Sequence, residues 1–181
     1  MKFEKTPLKD CFVITPEIFS DHRGIFLESY HKKKFNEATG LELEFVQDNQ
    51  SVSKKGVLRG LHFQSGEFAQ AKLVRVIYGE VMDVVVDLRP DSPTFKKSYN
   101  IILSDKNLHQ LFIPQGFAHG FVTLSETSVF SYKCDRFYYP GSESGVIYND
   151  PDLAIDWDFP EEELILSEKD TKLPTLKELF P

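Results

Sequence analysis

From Leu73 to Cys134 the chain is a succession of short apolar runs cut by turn residues, the pattern of an all-β sandwich or barrel. Leu73–Tyr78 and Val81–Leu88 read as two strands joined at Gly79-Glu80 in a tight hairpin. In the second, Met82, Val84, Val86 and Leu88 point one way, and Asp83, Val85 and Asp87 the other. An aspartate on so apolar a strand is either exposed or inside a polar cavity. Arg89-Pro90-Asp91-Ser92-Pro93 then breaks the sheet. Further strands are expected at Tyr99–Leu103, His109–Ile113, Gly120–Leu124 and Ser128–Cys134. Helix is sparse: His31–Ala38, stopped by Gly40, and a last turn at Leu176–Phe180. The acidic stretch Asp150–Glu163 reads as a solvated surface segment. No linker, repeat or low-complexity tract divides the chain, so 1–181 reads as one domain with a short C-terminal tail.

At 181 residues the chain is long enough for one well-buried core and short for two. Sixteen Phe and seven Tyr suit packed sheets around a ring-lined pocket. A net charge of −7 argues against nucleic acid or an anionic membrane as partner, though a few converging arginines can still hold an anion. Cys11 and Cys134, far apart and without Cys-x-x-Cys spacing, read as buried thiols. The N-terminus has no apolar signal core and no run reaches membrane-spanning length, which points to a soluble, cytoplasmic protein.

The chemistry-bearing residues are His62, within Arg59-Gly60-Leu61-His62-Phe63-Gln64, followed by Lys72 and much later Tyr132. Alone, each reads as a polar group on a strand. Together they offer a base, an electrophile and an acid, the parts needed to remove a proton beside a ketone and return it from the other face. No Gly-rich dinucleotide fingerprint or P-loop is present, and no cofactor is expected.

Two stretches resemble the paired motifs of the cupin β-barrels: Gly56 through His62-Phe63-Gln64 to Gly79, and Pro114-Gln115-Gly116-Phe117-Ala118-His119-Gly120. Metal-binding cupins carry His-x-His in the first; here Gln64 replaces the second histidine, and a neutral amide is a poor ligand for a first-row metal. His62 and His119 alone are too few for a typical site. The expectation is a jelly-roll cupin without a metal, with the His62 imidazole free to act as a base and Lys72 stabilising negative charge.

A narrower resemblance runs nearly end to end. Asp21-His22-Arg23-Gly24, Phe45-Val46-Gln47-Asp48-Asn49, Val57 through Gln64, Gln70-Ala71-Lys72-Leu73-Val74-Arg75, Ile113 through Phe121, Tyr132-Lys133 and Ser167-Glu168-Lys169-Asp170 occur in order. In these the chain resembles the dTDP-4-dehydrorhamnose 3,5-epimerase family. The resemblance implies His62 as general base with Asp170 as its carboxylate partner, Tyr132 as proton donor and Lys72 on the C4 oxygen. It places His119 and Asp83 in the same pocket. It implies Arg23 and Arg59 on the diphosphate, Glu28, Gln47 and Asn49 on the nucleotide, Tyr138 stacked on thymine, and Glu143 and Lys169 as further ligand contacts. It also implies a homodimer whose sites borrow from the neighbouring subunit's N-terminal part. Gln50, Val52 and Ala71 depart from the family pattern, where a histidine, a basic residue and a glycine are usual.

The activity so implied is inversion of C3 and C5 of dTDP-4-dehydro-6-deoxy-D-glucose through an enolate, giving dTDP-4-dehydro-L-rhamnose. The rivals are a single-site 3- or 5-epimerase or 3,4-ketoisomerase on the same nucleotide sugar, a non-catalytic nucleotide-sugar-binding cupin, and a metal-dependent cupin.

Overall fold

Strands dominate the computed structural model, which describes residues 1–181. One sheet has six strands in the order β1 (Lys2–Lys5), β2 (Phe12–Thr15), β10 (Gln110–Ile113), β7 (Lys72–Tyr78), β12 (Thr127–Cys134) and β5 (Gln47–Lys54). The other has five: β13 (Glu143–Gly145), β6 (Leu58–Gln64), β11 (Phe117–Thr123), β8 (Glu80–Asp87) and β9 (Ser98–Ser104). A separate hairpin, β3 (Ile18–Asp21) with β4 (Gly24–Leu27), stands apart. The result is a two-sheet β-sandwich, as the strand spacing implied, of the jelly-roll cupin type that the resemblance implied.

Three clusters hold it together. Val74, Val76, Leu111, Ile113 and Phe130 from the six-stranded sheet meet Val81, Val85, Leu103, Phe117 and Phe121 from the five-stranded sheet. Met82, Val84, Val86, Ala118 and Val122 project from the outer face of the five-stranded sheet, where Val146, Trp157 and Leu176 cover them. Phe12, Ile14, Leu73 and Phe112 lie under Phe35 of helix α1 (Lys32–Thr39). Strands β8 and β11 are therefore buried on both faces, which explains their nearly unbroken apolar composition. The helix is framed by His31 at its N-cap and by Gly40, whose φ of +72° closes the C-terminus. A short α2 (Leu176–Leu179) carries a Thr175–Glu178 capping box.

Three expectations need correction. Gly79 does not join a hairpin: β7 pairs with β10 and β12, while β8 pairs with β9 and β11 in the opposite sheet. The φ of +81° at Gly79 turns the chain across the sandwich, and a Cβ there would collide with the Thr127 carbonyl. Asp150–Glu163 is not simply a solvated surface. Asp150 is buried and accepts hydrogen bonds from the backbone of Leu153 and Leu176, and Trp157 is buried in the outer cluster. The C-terminal part is thus a cover for the five-stranded sheet, anchored by a carboxylate that satisfies helix and loop N–H groups. Finally, β11 begins at Phe117, so His119 is inside a strand and not ahead of one.

Cys11 and Cys134 are both free and buried; burial pushes their thiols up to about 12 and about 11 respectively.

Asp87 organises the turn after β8. It is fully buried and accepts from Arg89 Nε and Nη2 (both 2.9 Å), the Arg89 backbone (3.0 Å), Ser92 Oγ (2.5 Å) and Thr94 Oγ1 (2.7 Å). Burial alone would raise this carboxyl, but the hydrogen bonds outweigh it and hold it down at about 2, against an ordinary value of 3.8. A depressed carboxylate stabilises the fold above its unfolded pKa, and that stability is lost as pH falls through its folded value. The loss between pH 5 and pH 2 is about 2 kcal/mol from this group. Urea unfolding of Asp87→Asn should therefore show a deficit of about 2 kcal/mol at pH 7 that closes toward pH 2. A pH-independent deficit would contradict the assignment.

Candidate active site

Two glycines set the geometry. Gly60 on β6 and Gly120 on β11 lie so close that a Cβ on Gly60 would stand 2.5 Å from the Gly120 Cα, and one on Gly120 would stand 2.7 Å from the Arg59 carbonyl. The strands approach, the ladder shifts register between His119 and Phe121, and His62 comes directly opposite His119. The contacts are to backbone, which cannot swing aside. Gly120→Ala is accordingly expected to cost about 1–3 kcal/mol in chemical denaturation. An unchanged unfolding midpoint would show that the strands have room to spare.

Between the sheets lies a cavity of about 450 Å³, and seven of the expected residues line it: Arg59, His62, Lys72, His119, Tyr132, Lys169 and Asp170. His62 and His119 enter from the five-stranded sheet, Lys72 and Tyr132 from β7 and β12 of the six-stranded sheet. Asp170 arrives from the C-terminal cover, where Ile165 bridges to Val57.

His62 Nε2 lies 2.6 Å from Asp170 Oδ1. Burial alone would raise the Asp170 carboxyl, but hydrogen bonds from His62, the Gly60 backbone and Ser167 hold it below its ordinary range. An ionised Asp170 accepts, so Nε2 carries the proton and His62 Nδ1 keeps its lone pair. Lys72 has no ion pair in the protein; its ammonium stands 5.9 Å from the centre of the Tyr132 ring. Burial pushes the Lys72 amine down, and Cys134, Asp83 and Glu143 pull it partly back up. Burial likewise pushes the Tyr132 phenol up, keeping it protonated. His119 Nε2 bonds Asp83 Oδ2 at 2.8 Å, with Asp83 enclosed behind it.

Four more of the expected residues form a chain that ends on Lys169 of the lining. Gln47 donates to Asn49 (3.0 Å) and accepts from the Tyr138 backbone (3.0 Å); the Tyr138 hydroxyl donates to Glu143 (2.6 Å), which pairs with Lys169 (2.6 Å). Burial alone would raise Glu143, but Lys169 and Tyr138 lower it overall. Tyr138 exposes its ring. Gln64, the residue in the place of a cupin metal ligand, is buried with its amide donating to the Phe68 carbonyl and accepting from the Tyr139 backbone.

Arg23 and Glu28 are not brought to this cavity. Arg23 sits exposed on the β3–β4 hairpin, paired with Asp21, and Glu28 pairs with Lys34 at 2.8 Å. The expected Arg23–Arg59 pair does not form within one chain. The sequence reading missed Phe121, stacked on Phe130 at 4.2 Å between ring centres, and Ser51, whose buried Oγ has no partner; both line the cavity. Ser167 carried no expected role within Ser167-Glu168-Lys169-Asp170; its Oγ accepts from the Asp170 backbone N–H at 3.1 Å. The inward period of β5, Gln47-Asn49-Ser51-Ser53, was the signal that could have found Ser51.

A carboxylate-bound imidazole on one wall, with an unpaired ammonium and a phenol on the other, defines a cupin-type site able to move a proton at carbon and hold the resulting oxyanion. The family described as dTDP-4-dehydrorhamnose 3,5-epimerase matches residues 5–178. The enzyme of that name from Salmonella typhimurium is 51% identical over 175 residues, covering 95% of this chain and 93% of its own. The crystal structure of the one from Elizabethkingia anophelis NUHP1 superposes with a TM-score of 0.96 at 59% identity, covering 98% of this chain and 97% of that one. A Legionella pneumophila 3,5-epimerase solved with dTDP-4-keto-L-rhamnose gives 0.93 at 48% identity, covering 97% and 93%. The chain belongs to the dTDP-4-dehydrorhamnose 3,5-epimerase family.

Proposed function

We propose that this protein inverts C3 and C5 of dTDP-4-dehydro-6-deoxy-D-glucose to give dTDP-4-dehydro-L-rhamnose. The observation that carries this reading is the Asp170–His62 pair, set across one cavity from Lys72 and Tyr132. The C4 ketone acidifies the C–H bonds on both sides of it. His62 Nδ1 takes one of these protons, and the Asp170 carboxylate stabilises the imidazolium that forms. The C–H electron pair becomes the enolate double bond, and the charge on the C4 oxygen falls to Lys72. Reprotonation from the facing wall inverts the carbon, with Tyr132 the donor at C5. A second round at the other carbon completes the reaction.

Arg59 holds the diphosphate, and the Gln47–Asn49–Tyr138–Glu143–Lys169 rim takes the nucleoside, with the exposed Tyr138 ring available for stacking on thymine. A test couples the protein to a reductase specific for the L-configured 4-ketone and follows NADPH. Oxidation dependent on this protein supports the reading; none, with the substrate intact, overturns it.

The active form in this reading is a homodimer. The hairpin exposes Phe19 and Phe26 at 54% and 69%, beside Ile18 and Ile25, more apolar surface than a solitary hairpin needs. Docked on a second copy it brings Arg23 and Glu28 to that copy's cavity. Sedimentation should give twice the chain mass, and Phe26→Asp should give the single chain with dTDP binding weakened.

A further inference from the structure

Gln64 stands where metal-binding cupins carry a second histidine, and here both ends of its side chain are spent on loop backbone. It is the last residue of β6 and is buried; its amide donates to the Phe68 carbonyl (3.1 Å) and accepts from the Tyr139 N–H (2.8 Å). A backbone N–H only donates and a carbonyl only accepts, so these partners fix which end of the amide is which. Neither Tyr138 nor Tyr139 gives its N–H to a backbone carbonyl. The Tyr138 N–H goes instead to Gln47 Oε1 at 3.0 Å. Gln47 lies on the six-stranded sheet and Gln64 on the five-stranded one, so amide side chains tie two successive peptides to opposite sheets. Phe68 also stacks on Tyr139, at 4.3 Å between ring centres, and the backbone of Gln64 pairs with that of Glu143. The Tyr138 ring, 47% exposed, therefore takes its place from this fastened backbone and from its hydroxyl's bond to Glu143.

We infer that Gln64 is a positioning residue for the nucleoside: its amide holds the Tyr138–Tyr139 backbone so that the Tyr138 ring is in place before the base arrives. The inference rests on the proposed function, in which that ring takes the thymine. The physical ground is preorganisation. A segment ordered only on binding subtracts its conformational entropy from the affinity, and a segment already fastened does not. The fastening is costly to undo by halves, because a buried amide that loses one partner leaves a polar group unpaired. Gln64 itself does not line the cavity, so its effect reaches the ligand only through Tyr138. The diphosphate end is held separately: Arg59 Nε donates to Ser53 Oγ at 3.1 Å, on a strand that Gln64 does not touch. Losing the Gln64 amide should therefore weaken binding that depends on the base and spare binding that depends on phosphate alone.

The test is calorimetric titration of wild type, Gln64→Met and Gln64→Glu with dTDP and, separately, with inorganic pyrophosphate. Methionine keeps the length and drops both hydrogen bonds; glutamate keeps the acceptor for Tyr139 and sets an oxygen against the Phe68 carbonyl. Misfolded protein lowers the stoichiometry and leaves the Kd of the remainder unchanged, so affinity is read apart from folding. The expected result is dTDP weakened about tenfold in either variant and pyrophosphate within about twofold of wild type. In turnover, KM for the nucleotide sugar should rise with the dTDP Kd while kcat stays within about threefold. Tyr138→Ala should also weaken dTDP, and adding Gln64→Met to it should cost less than about twofold more, since an absent ring cannot be misplaced. Unchanged dTDP affinity in the Gln64 variants, equal loss for both ligands, or additive losses in the double variant would overturn the positioning role. Tyr138→Ala with wild-type dTDP affinity would overturn the stacking and the positioning role with it. Wild-type protein that does not bind dTDP would overturn the proposed function itself.

Discussion

Replacing His62 with alanine is expected to lower formation of the doubly inverted product by about 10³-fold or more while dTDP affinity stays within about threefold. The size follows from the site's construction. His62 is part-buried, its side chain 28% exposed, and its Nε2 is committed to a carboxylate, so no mobile group stands ready to replace it. The nucleotide contacts proposed for Arg59 and the rim do not involve its ring. The test pairs a coupled product assay with calorimetric titration of dTDP. Turnover near the wild-type rate would remove His62 from the mechanism; loss of dTDP binding along with turnover would make it a binding residue.

The second large effect is expected for Lys72→Met. Methionine keeps the length and apolar stem and removes the ammonium to which the proposed mechanism gives the enolate charge. Loss of one such donor lowers kcat by about 10²- to 10³-fold. KM should change little, since the charge matters most where negative charge develops. Stability should hold or rise: Lys72 has no ion-pair partner in the chain, and removing an uncompensated buried charge does not orphan another. Steady-state kinetics and a thermal melt check both halves. A variant that loses KM and keeps kcat would place Lys72 in ground-state binding.

The β8 strand was legible because burial on both faces leaves its mark in composition, and Asp83 stood out as a carboxylate among valines. The exchange of sheets at Gly79 was not, since a glycine after an apolar run looks the same whether the next strand folds back or crosses over. Charge misled at Asp150, where an aspartate in an acidic stretch is buried as an acceptor for helix and loop N–H groups. His62 and Asp170 are 108 residues apart, and only the resemblance joined them, because no local period records which cover segment returns to a cavity. Arg23 marks the remaining limit: exposed on the β3–β4 hairpin and paired with Asp21, it has no intrachain pattern that ties it to the cavity.

Proton exchange at both carbons beside the ketone is measured directly by NMR of dTDP-4-dehydro-6-deoxy-D-glucose incubated with wild-type protein in heavy water. Deuterium at both C3 and C5, with the L-configured ketone trapped by a downstream reductase, is the predicted result. Label at one carbon only, or at neither despite dTDP binding, would contradict it.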